Sequence, residues 1–368
     1  MLQTIGQFLI FDLKTRRMAD FHPLSIKTIE RITPNSVTIA FDIPGNLQET
    51  FAFDAGQYIT IKKELNGTEL RRAYSVCVAP GKGALKVGIK KTPDGTFSRY
   101  ANNDLTEGTV LEVHPPEGRF TFIPDAAKKR NIAAFAAGSG ITPIMSIMHT
   151  VLKEEPQSTF SLIYGNKSLT ETMFYKDILD LKEQYPERLQ VEFVYSQTQE
   201  ADCMFGRIER STVNFMLKNK YKDISFDAFY LCGPEPMINT VTDTLVEKGI
   251  EKDVIKYELF TAPVSETEET ATVGEGEVQI SVLVDDDETS FVMNKKERIL
   301  DAVLKKDIDA PYSCQGGICS SCIARVTKGK AEMVQNQILT DSEIEEGLIL
   351  TCQALAVTDK IAIDYDDV

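Results

Sequence analysis

The chain has 368 residues, of which 42% are hydrophobic and 26% charged, and its formal net charge is −15. This length predicts two or three domains, and this composition is that of a folded globular protein, which excludes a disordered or collagen-like chain. The excess of acidic residues argues against nucleic acid and anionic membrane surfaces as partners.

The first 22 residues are predicted to be an N-terminal extension. Met18 begins a run that is typical of a natural start, so we expect residues 1–17 to be poorly ordered. This segment lacks the basic region and the small-residue cleavage site of a secretory signal. Seven cysteines are too few for a disulfide scaffold in a chain of this length. The sequence therefore predicts a cytoplasmic protein in a reducing compartment.

Residues 23–125 are predicted to form an antiparallel β-barrel. Runs of β-forming residues occur at 37–41, 58–61 and 85–89, with turn-forming Pro-Gly, Asn-Gly and Asp-Gly pairs between or after them. Several short strands at this spacing are typical of an antiparallel barrel or sandwich.

Residues 126–260 show a different pattern, in which apolar strands and amphipathic helices alternate. This alternation predicts a parallel sheet with helices on both faces, as in nucleotide-binding α/β domains. The predicted strands lie at 132–137, 160–164, 189–195 and 228–232, and the predicted helices lie at 143–152, 173–184 and 236–248.

The last part of the chain is predicted to be a linker followed by a third domain. Residues 261–277 are rich in Thr, Ser, Glu and Gly and have almost nothing to bury, which is typical of a linker. Residues 278–368 begin with an alternating strand, in which Val278, Ile280 and Val282 are apolar, and carry more acidic than basic residues.

Four cysteines of this third domain follow the pattern C-x4-C-x2-C-x29-C. They are Cys314, Cys319, Cys322 and Cys352. This is the plant-type spacing of [2Fe–2S] ligands, in which a tight loop supplies three thiolates and a remote segment supplies the fourth. A structural zinc site is the alternative, but zinc motifs usually contain two C-x2-C pairs. The resemblance to plant-type ferredoxins implies a β-grasp-type fold for this domain.

Two short motifs of the barrel segment resemble the flavin site of the ferredoxin–NADP⁺ reductase family. The resemblance implies that the arginine binds phosphate oxygens, the tyrosine ring packs on the flavin, and the first serine approaches flavin N5. It also implies that the glycine and second serine accommodate the pyrophosphate near a helix N-terminus. The motif residues are Arg72, Ala73, Tyr74 and Ser75, followed by Gly95, Thr96 and Ser98.

Two further motifs follow predicted strands of the nucleotide domain. In an open parallel sheet, ligands bind beyond the carboxyl ends of the strands, so both motifs are expected at one site. We expect Thr142 to cap the helix that begins at Pro143. The resemblance places Cys232 near the nicotinamide. The motif residues are Gly138, Gly140 and Thr142 in the first, and Cys232, Gly233 and Pro234 in the second.

The remaining candidate residues concern the flavin ring and the choice of coenzyme. Glu258 and Phe260 resemble the E-x-F segment that closes over the flavin in this family, with Phe260 as the covering ring. Lys167 and Ser168 follow the second strand of the nucleotide domain, where the family binds or rejects the 2′-phosphate. No acidic residue stands beside them, which favours NADPH over NADH.

The order of the three segments resembles a ferredoxin–NADP⁺ reductase fused to a C-terminal plant-type ferredoxin, as in the reductase subunits of phenylacetyl-CoA epoxidases of phenylacetate degradation. The resemblance implies FAD, a [2Fe–2S] cluster and NADPH or NADH as cofactors. Ser75, Cys232 and Phe260 would be the catalytic residues. Electrons would pass through the flavin and the cluster to an oxygenase component. The alternatives are a reductase for a Rieske dioxygenase, hydroxylase or desaturase, and a non-catalytic iron–sulfur carrier or redox sensor.

Overall fold

The structure is a computed structural model that describes residues 21–81, 83–93, 95–260 and 276–368. The predicted N-terminal extension up to residue 20 and the predicted linker up to residue 275 lie outside the described residues. No helix in the described part of the chain is both long and apolar enough to span a membrane.

The first domain is a six-stranded antiparallel sheet with strand order β4-β3-β6-β1-β2-β5. A bridge between Val76 and Val87 joins the end of β4 to β5, so the two edges of the sheet meet as in a barrel. Alternate residues such as Ile59 and Ile61 point into its apolar core. Its elements are β1 (His22–Thr33), β2 (Ser36–Asp42), β3 (Tyr58–Leu65), β4 (Thr68–Ser75), β5 (Lys86–Lys90), α1 (Thr96–Asn103) and β6 (Val110–Glu117).

The second domain is a six-stranded parallel sheet with strand order β10-β9-β8-β7-β11-β12. Side chains alternate across a strand, so Ala133 and Phe135 of β7 face one apolar core while Ala134 and Ala136 face another. Its strands are β7 (Asn131–Ala137), β8 (Thr159–Asn166), β9 (Leu189–Tyr195), β10 (Met204–Phe205), β11 (Ala228–Cys232) and β12 (Ile255–Glu258). Its α-helices are α2 (Ile141–Glu154), α3 (Tyr175–Gln184), α4 (Arg210–Phe215) and α5 (Glu235–Val246).

The third domain is a five-stranded mixed sheet of order β14-β13-β19-β15-β17 with a separate β16–β18 pair. Strands β13 and β19 are parallel, and the other pairs are antiparallel. The predicted apolar positions Val278, Ile280 and Val282 are buried. Its strands are β13 (Glu277–Val284), β14 (Asp287–Asn294), β15 (Ile323–Lys328), β16 (Ala331–Met333), β17 (Leu348–Leu350), β18 (Ala354–Ala356) and β19 (Lys360–Asp364). Its helices are α6 (Ile299–Leu304) and α7 (Asp341–Glu345).

All three predicted helix starts differ from the structure, that of α5 by one residue, because α5 begins at Glu235 rather than at 236. Helix α2 begins at Ile141 rather than Pro143, because the 3-10 turn Gly138–Gly140 leads directly into it. Gly140 is therefore the N-cap, and the Thr142 hydroxyl instead donates to the Ser139 carbonyl at 3.0 Å. Helix α3 begins at Tyr175, two residues after its predicted start, because Phe174 takes a left-handed φ of 58°. The predicted strands at 189–195 and 228–232 coincide with β9 and β11.

Candidate functional site

The first predicted flavin motif lies at the end of β4. Side chains alternate along a strand, so Arg72 and Tyr74 share one face while Ala73 and Ser75 share the other. The Tyr74 ring lies 5.7 Å from the Phe97 ring of α1, measured between centroids. Arg72 is exposed, and its guanidinium donates to the Arg71 carbonyl at 2.7 Å. Because the Arg72 side chain is exposed, it is accessible to a phosphate.

The second predicted flavin motif forms the start of α1. A Cβ atom at Gly95 would lie 2.1 Å from Thr92 Oγ1 and 2.2 Å from Ser98 Oγ, so only glycine fits there. Ser98 Oγ accepts from the Thr92 backbone N–H at 3.2 Å. Thr96 is exposed, and Gly95 at the N-cap position offers no side-chain cap. The first N–H groups of this helix therefore lack a side-chain cap, and free N–H groups at a helix start favour an anion.

The two glycine-containing turns of the nucleotide domain pack against each other, because they follow the adjacent parallel strands β7 and β11. A Cβ atom at Gly140 would lie 2.1 Å from the Cys232 carbonyl oxygen and 2.8 Å from the Gly233 nitrogen. Gly138 has a positive φ of 56° and open space at its Cβ position. Pro234 is exposed at the N-cap of α5. The structure therefore brings both motifs to one edge of the sheet and leaves open space beside Gly138.

A buried hydroxyl, carboxyl and thiol meet where the barrel contacts the nucleotide domain. Ser75 Oγ donates to Glu258 Oε2 at 3.2 Å, and Cys232 is the register partner of Glu258 across β11 and β12. Burial raises the pKa of Glu258 to about 8, although the bond from Ser75 opposes this shift. Burial, and then the Glu258 carboxylate, raise the pKa of Cys232 well above its ordinary value. Both shifts favour the uncharged forms of the carboxyl and the thiol.

The other predicted ring and coenzyme residues follow the ends of β12 and β8. Phe260 follows β12 by two residues, and 37% of it is exposed. Lys167 is exposed just past the end of β8, and Ser168 Oγ lies 3.0 Å from Thr170 Oγ1. These residues share no hydrogen bond with Ser75 or Glu258 among the described residues.

The four cysteines of the third domain influence each other's ionisation in twos. The Cys319 thiol is the largest cause of the lowered pKa of Cys314, and the Cys352 thiol is the largest cause of the raised pKa of Cys322. In the described residues, no three ligand side chains converge as they would around one metal ion. Two pairs of thiols suit two irons, each held by two thiolates, and this donor set fits a [2Fe–2S] cluster.

Backbone N–H groups of the cysteine loop point at the sulfur atoms. The Gly316 N–H donates to Cys314 Sγ at 3.3 Å. The thiol of Cys319, followed by the N–H groups of Gly316 and Ile318, lowers the pKa of Cys314 to about 7. Such donors favour thiolates, which are the ligand form of cysteine.

The cysteine loop also contacts β3 of the barrel, through two barrel residues, Tyr58 and Thr60, that belong to none of the predicted motifs. Tyr58 lies 3.3 Å from Ser320 and 3.1 Å from Ser321, measured between hydroxyl oxygens. Thr60 Oγ1 donates to Ser313 Oγ at 2.9 Å. No sequence signal marks these contacts, because tyrosine and threonine are ordinary strand residues.

Each domain also matches a family model, which identifies its ligand class. Residues 23–122 match the oxidoreductase FAD-binding domain, and residues 135–243 match the oxidoreductase NAD-binding domain. Residues 282–357 match the 2Fe-2S iron-sulfur cluster binding domain.

The full-length relatives combine these three domains. The chain is 37% identical over 351 residues to one of the subunits of the Escherichia coli 1,2-phenylacetyl-CoA epoxidase, covering 95% of this chain and 99% of the relative. The chain belongs to the ferredoxin–NADP⁺ reductase family, in the form that carries a C-terminal plant-type ferredoxin domain. It is also 31% identical to the ferredoxin reductase component of a Rhodococcus rhodochrous 3-ketosteroid-9-alpha-monooxygenase, covering 93% of this chain and 96% of that one.

Phthalate dioxygenase reductase has the same fold, with a TM-score of 0.58 at 21% identity over 94% of this chain and 98% of that structure. The predicted fold of three domains, in this order, is therefore confirmed. The enzyme is an NAD(P)H oxidoreductase of the reductase-component type, with FAD and a [2Fe–2S] cluster as cofactors.

Proposed function

We propose that this reductase passes electrons from NAD(P)H, through FAD and the [2Fe–2S] cluster, to an oxygenase component in the cytoplasm. The observation that carries the proposal is the placement of the cysteine loop. It lies against β3, where Tyr58 is the register partner of Ser75, so the cluster ligands and the predicted flavin residues share one neighbourhood. When bound, FAD supplies a two-electron hydride acceptor and the cluster a one-electron acceptor.

The flavin residues have separable roles in the proposal. Arg72 binds phosphate oxygens from its exposed position on β4, and Tyr74 packs against the flavin with Ala73 beside it. The helix start at Gly95, Thr96 and Ser98 holds the pyrophosphate, because its free N–H groups favour an anion.

Protonation near the flavin ring and access to that ring are controlled by Ser75, Glu258, Cys232 and Phe260. Glu258, protonated at neutral pH because its pKa is raised to about 8, holds a proton on its carboxyl group beside Ser75 Oγ. Ser75 orients the reactive edge of the ring, and Cys232 contacts the nicotinamide. Phe260 covers the ring and excludes water. These roles place Ser75, Cys232 and Phe260 at the reacting atoms.

The nucleotide is held by the two turns at the sheet edge. Gly138, Gly140 and Thr142 accommodate the coenzyme on one side, and Gly233 and Pro234 do so on the other. Lys167 and Ser168 bind the 2′-phosphate, which favours NADPH. The metal ligands are Cys314, Cys319, Cys322 and Cys352.

We further propose that the three domains of this chain span residues 23–125, 126–260 and 278–368. We also propose that the electron acceptor is an oxygenase component of the phenylacetyl-CoA epoxidase type. The Escherichia coli relative supports this acceptor, because it is a subunit of such an enzyme and aligns over nearly its whole length. The acidic third domain suits a basic surface on the acceptor, since complementary charge raises the encounter rate. A steroid monooxygenase acceptor is the second candidate, supported by the 31% identical relative.

An anaerobic visible-spectrum titration tests the electron path. Purified protein is titrated first with NADPH and, in a separate sample, with NADH. Bleaching of both flavin and iron–sulfur bands at stoichiometric coenzyme is the expected result, with NADPH acting at the lower concentration. A colourless protein that ignores both coenzymes would contradict the proposal. Reconstitution with the oxygenase component of a phenylacetyl-CoA epoxidase, against a steroid monooxygenase component, then tests the acceptor.

A further inference from the structure

Hydroxyl groups join β3 of the barrel to the cysteine loop in two neighbouring sets of hydrogen bonds. We call Tyr58, Thr60, Ser313, Ser320 and Ser321 the hydroxyl clamp. Its distances are 3.3 Å and 3.1 Å from the Tyr58 oxygen to Ser320 and Ser321, and 2.9 Å from Thr60 to Ser313. Tyr58, Thr60 and Ser313 are buried, so the bond between Thr60 and Ser313 is shielded from water, whereas Ser320 and Ser321 are half-buried.

The direction of the hydrogen bonds around Tyr58 follows from the carboxylate at the end of that set. Ser321 donates its only proton to Glu117 Oε1 at 2.6 Å. Tyr58 must therefore donate to Ser321, and Ser320 must donate to Tyr58. Burial raises the pKa of Tyr58 well above its ordinary value, which keeps its hydroxyl protonated. Tyr58 is the central member of this series of hydrogen bonds, since its hydroxyl both accepts one and donates one.

The clamp holds the loop at the points nearest to the sulfur atoms. Each of its three serines is next in sequence to a predicted cluster ligand: Ser313 precedes Cys314, Ser320 follows Cys319, and Ser321 precedes Cys322. On the barrel side, Tyr58 is the register partner of Ser75, and Thr60 is that of Ala73. The clamp therefore connects the two cofactor sites through one strand.

We propose that Tyr58 is a positioning residue for electron transfer from the flavin to the cluster, with Thr60 in a supporting role. This inference rests on the proposed function. Among the described residues, the Tyr58 hydroxyl forms hydrogen bonds with Ser320 and Ser321, and it acts by keeping the cysteine loop docked on β3. The bound flavin would hold two electrons after reduction and the cluster would accept one, so the second electron would follow once the oxygenase component has taken the first, and the flavin protons would go to solvent. Because electron transfer depends on the separation of the two groups, a loop that leaves β3 receives electrons more slowly.

The test compares the holoenzyme with Tyr58→Phe and Thr60→Val in anaerobic stopped-flow reduction by NADPH. Both substitutions remove a hydroxyl and keep the shape. Flavin bleaching should keep its wild-type rate, while cluster bleaching slows about tenfold in Tyr58→Phe, as expected when buried hydroxyls lose their partner. The matched control is Tyr221→Phe, a buried tyrosine of the nucleotide domain.

Hydrogen exchange supplies a readout that does not depend on turnover. Exchange of backbone amides in residues 313–321 should be faster in Tyr58→Phe by a factor similar to the loss in rate, while the control exchanges as the wild type does. The cluster midpoint potential should stay unchanged, because a shifted potential would indicate an effect on the cluster itself and would overturn the positioning role.

The outcomes separate this inference from the proposed function. If cluster bleaching and exchange match the wild type in both clamp variants, the inference is wrong. It is also wrong if the flavin phase slows together with the cluster phase. If the wild type itself shows flavin bleaching and no cluster bleaching, the proposed function fails instead. Should Tyr58→Phe not fold, Thr60→Val is measured alone, with slower cluster bleaching and faster exchange as the supporting result.

Discussion

The two domain junctions of this reductase are built differently. At the junction of barrel and nucleotide domain, Ala55, Phe120 and Phe122 of the barrel share one apolar core with helices α2 and α3. At the junction of barrel and ferredoxin domain, the contacts include hydroxyl bonds, ion pairs and an arginine over an aromatic ring, and the ferredoxin core contains residues of its own domain.

The difference between the two junctions matches the requirements of hydride transfer and of single-electron transfer. Hydride transfer requires reacting atoms in near contact, so a rigid, close-packed junction is suited to it. Single electrons cross longer distances, and the cluster must also serve an external acceptor. A polar junction, which water and salt can weaken, holds the ferredoxin domain less firmly.

Arg71 shows the character of the polar junction. It is 9% exposed and lies 4.2 Å from the centre of the Tyr312 ring, with Asp309 Oδ1 at 3.6 Å from Nη2. Its partners on the ferredoxin side are thus an aromatic face and an exposed carboxylate. Ile318 adds an apolar contact with the core of the nucleotide domain.

The largest expected effect is the loss of the iron–sulfur cluster from the ferredoxin domain, with the flavin site left intact. Cys314→Ser should abolish the iron–sulfur bands and the electron paramagnetic resonance signal of the reduced cluster, because a serine hydroxyl does not replace a thiolate in the loop. Flavin reduction by NADPH should persist. Cys203→Ser, at a half-buried cysteine outside the loop, is the control and should retain full iron content. Retention of the cluster in Cys314→Ser would contradict the ligand assignment.

The next effect concerns the buried carboxyl of the rigid junction. Glu258 has an ordinary pKa of 4.5 that burial raises to about 8. Between these values the folded protein keeps a proton that the unfolded chain has released, so stability falls as the pH rises from about 5 to about 8. The loss is about 1.4 kcal/mol for each pKa unit.

Glu258→Gln should lack this component of the pH dependence. The measurement is thermal unfolding of both proteins at about pH 5 and about pH 8, where the wild type should lose melting temperature relative to the variant. Equal slopes in the two proteins would show that Glu258 is ionised in the folded state at neutral pH.

A smaller effect is expected from a change in the close packing between the turn after β7 and the turn after β11. Gly140→Ala places a Cβ atom 2.1 Å from the Cys232 carbonyl oxygen, and backbone atoms cannot move aside freely. We expect a loss of about 1–3 kcal/mol in the free energy of unfolding, with weaker coenzyme binding. Gly45→Ala is the control, because its Cβ atom meets nothing within 4 Å. Wild-type stability in Gly140→Ala would show that the two turns have room to separate.

The smallest effect concerns the ion pair between Arg119 of the barrel and Glu343 of α7. Because both side chains are partly exposed, their coupling should be below about 1 kcal/mol and should vanish at high salt. Glu343 also caps α7 by accepting from the Thr340 N–H at 2.8 Å, so a single substitution confounds two losses. A double-mutant cycle with Arg119→Ala and Glu343→Ala isolates the pair, and a salt-independent coupling would contradict a screened surface contact.

The prediction from sequence was strongest where local pattern and chemistry coincide. The spacing of Cys314, Cys319, Cys322 and Cys352 pointed to two irons, and residues 282–357, which contain them, match the 2Fe-2S iron-sulfur cluster binding domain. The alternation of strands and helices correctly predicted the parallel sheet. The start of α2 was misplaced, because the glycine turn continues into the helix without the hydroxyl cap that Thr142 suggested.

The sequence by itself determined the domain order, the cofactor types and the strand ends that carry the motifs, since these depend on residues close together in the chain. Only the tertiary structure decided which side of the barrel receives the ferredoxin domain. Tyr58 and Ser320 are 262 residues apart, and hydroxyl side chains occur throughout the chain, so no local pattern marks their pairing. The pairing of β11 with β12 likewise sets Cys232 opposite Glu258, which only the sheet register could establish.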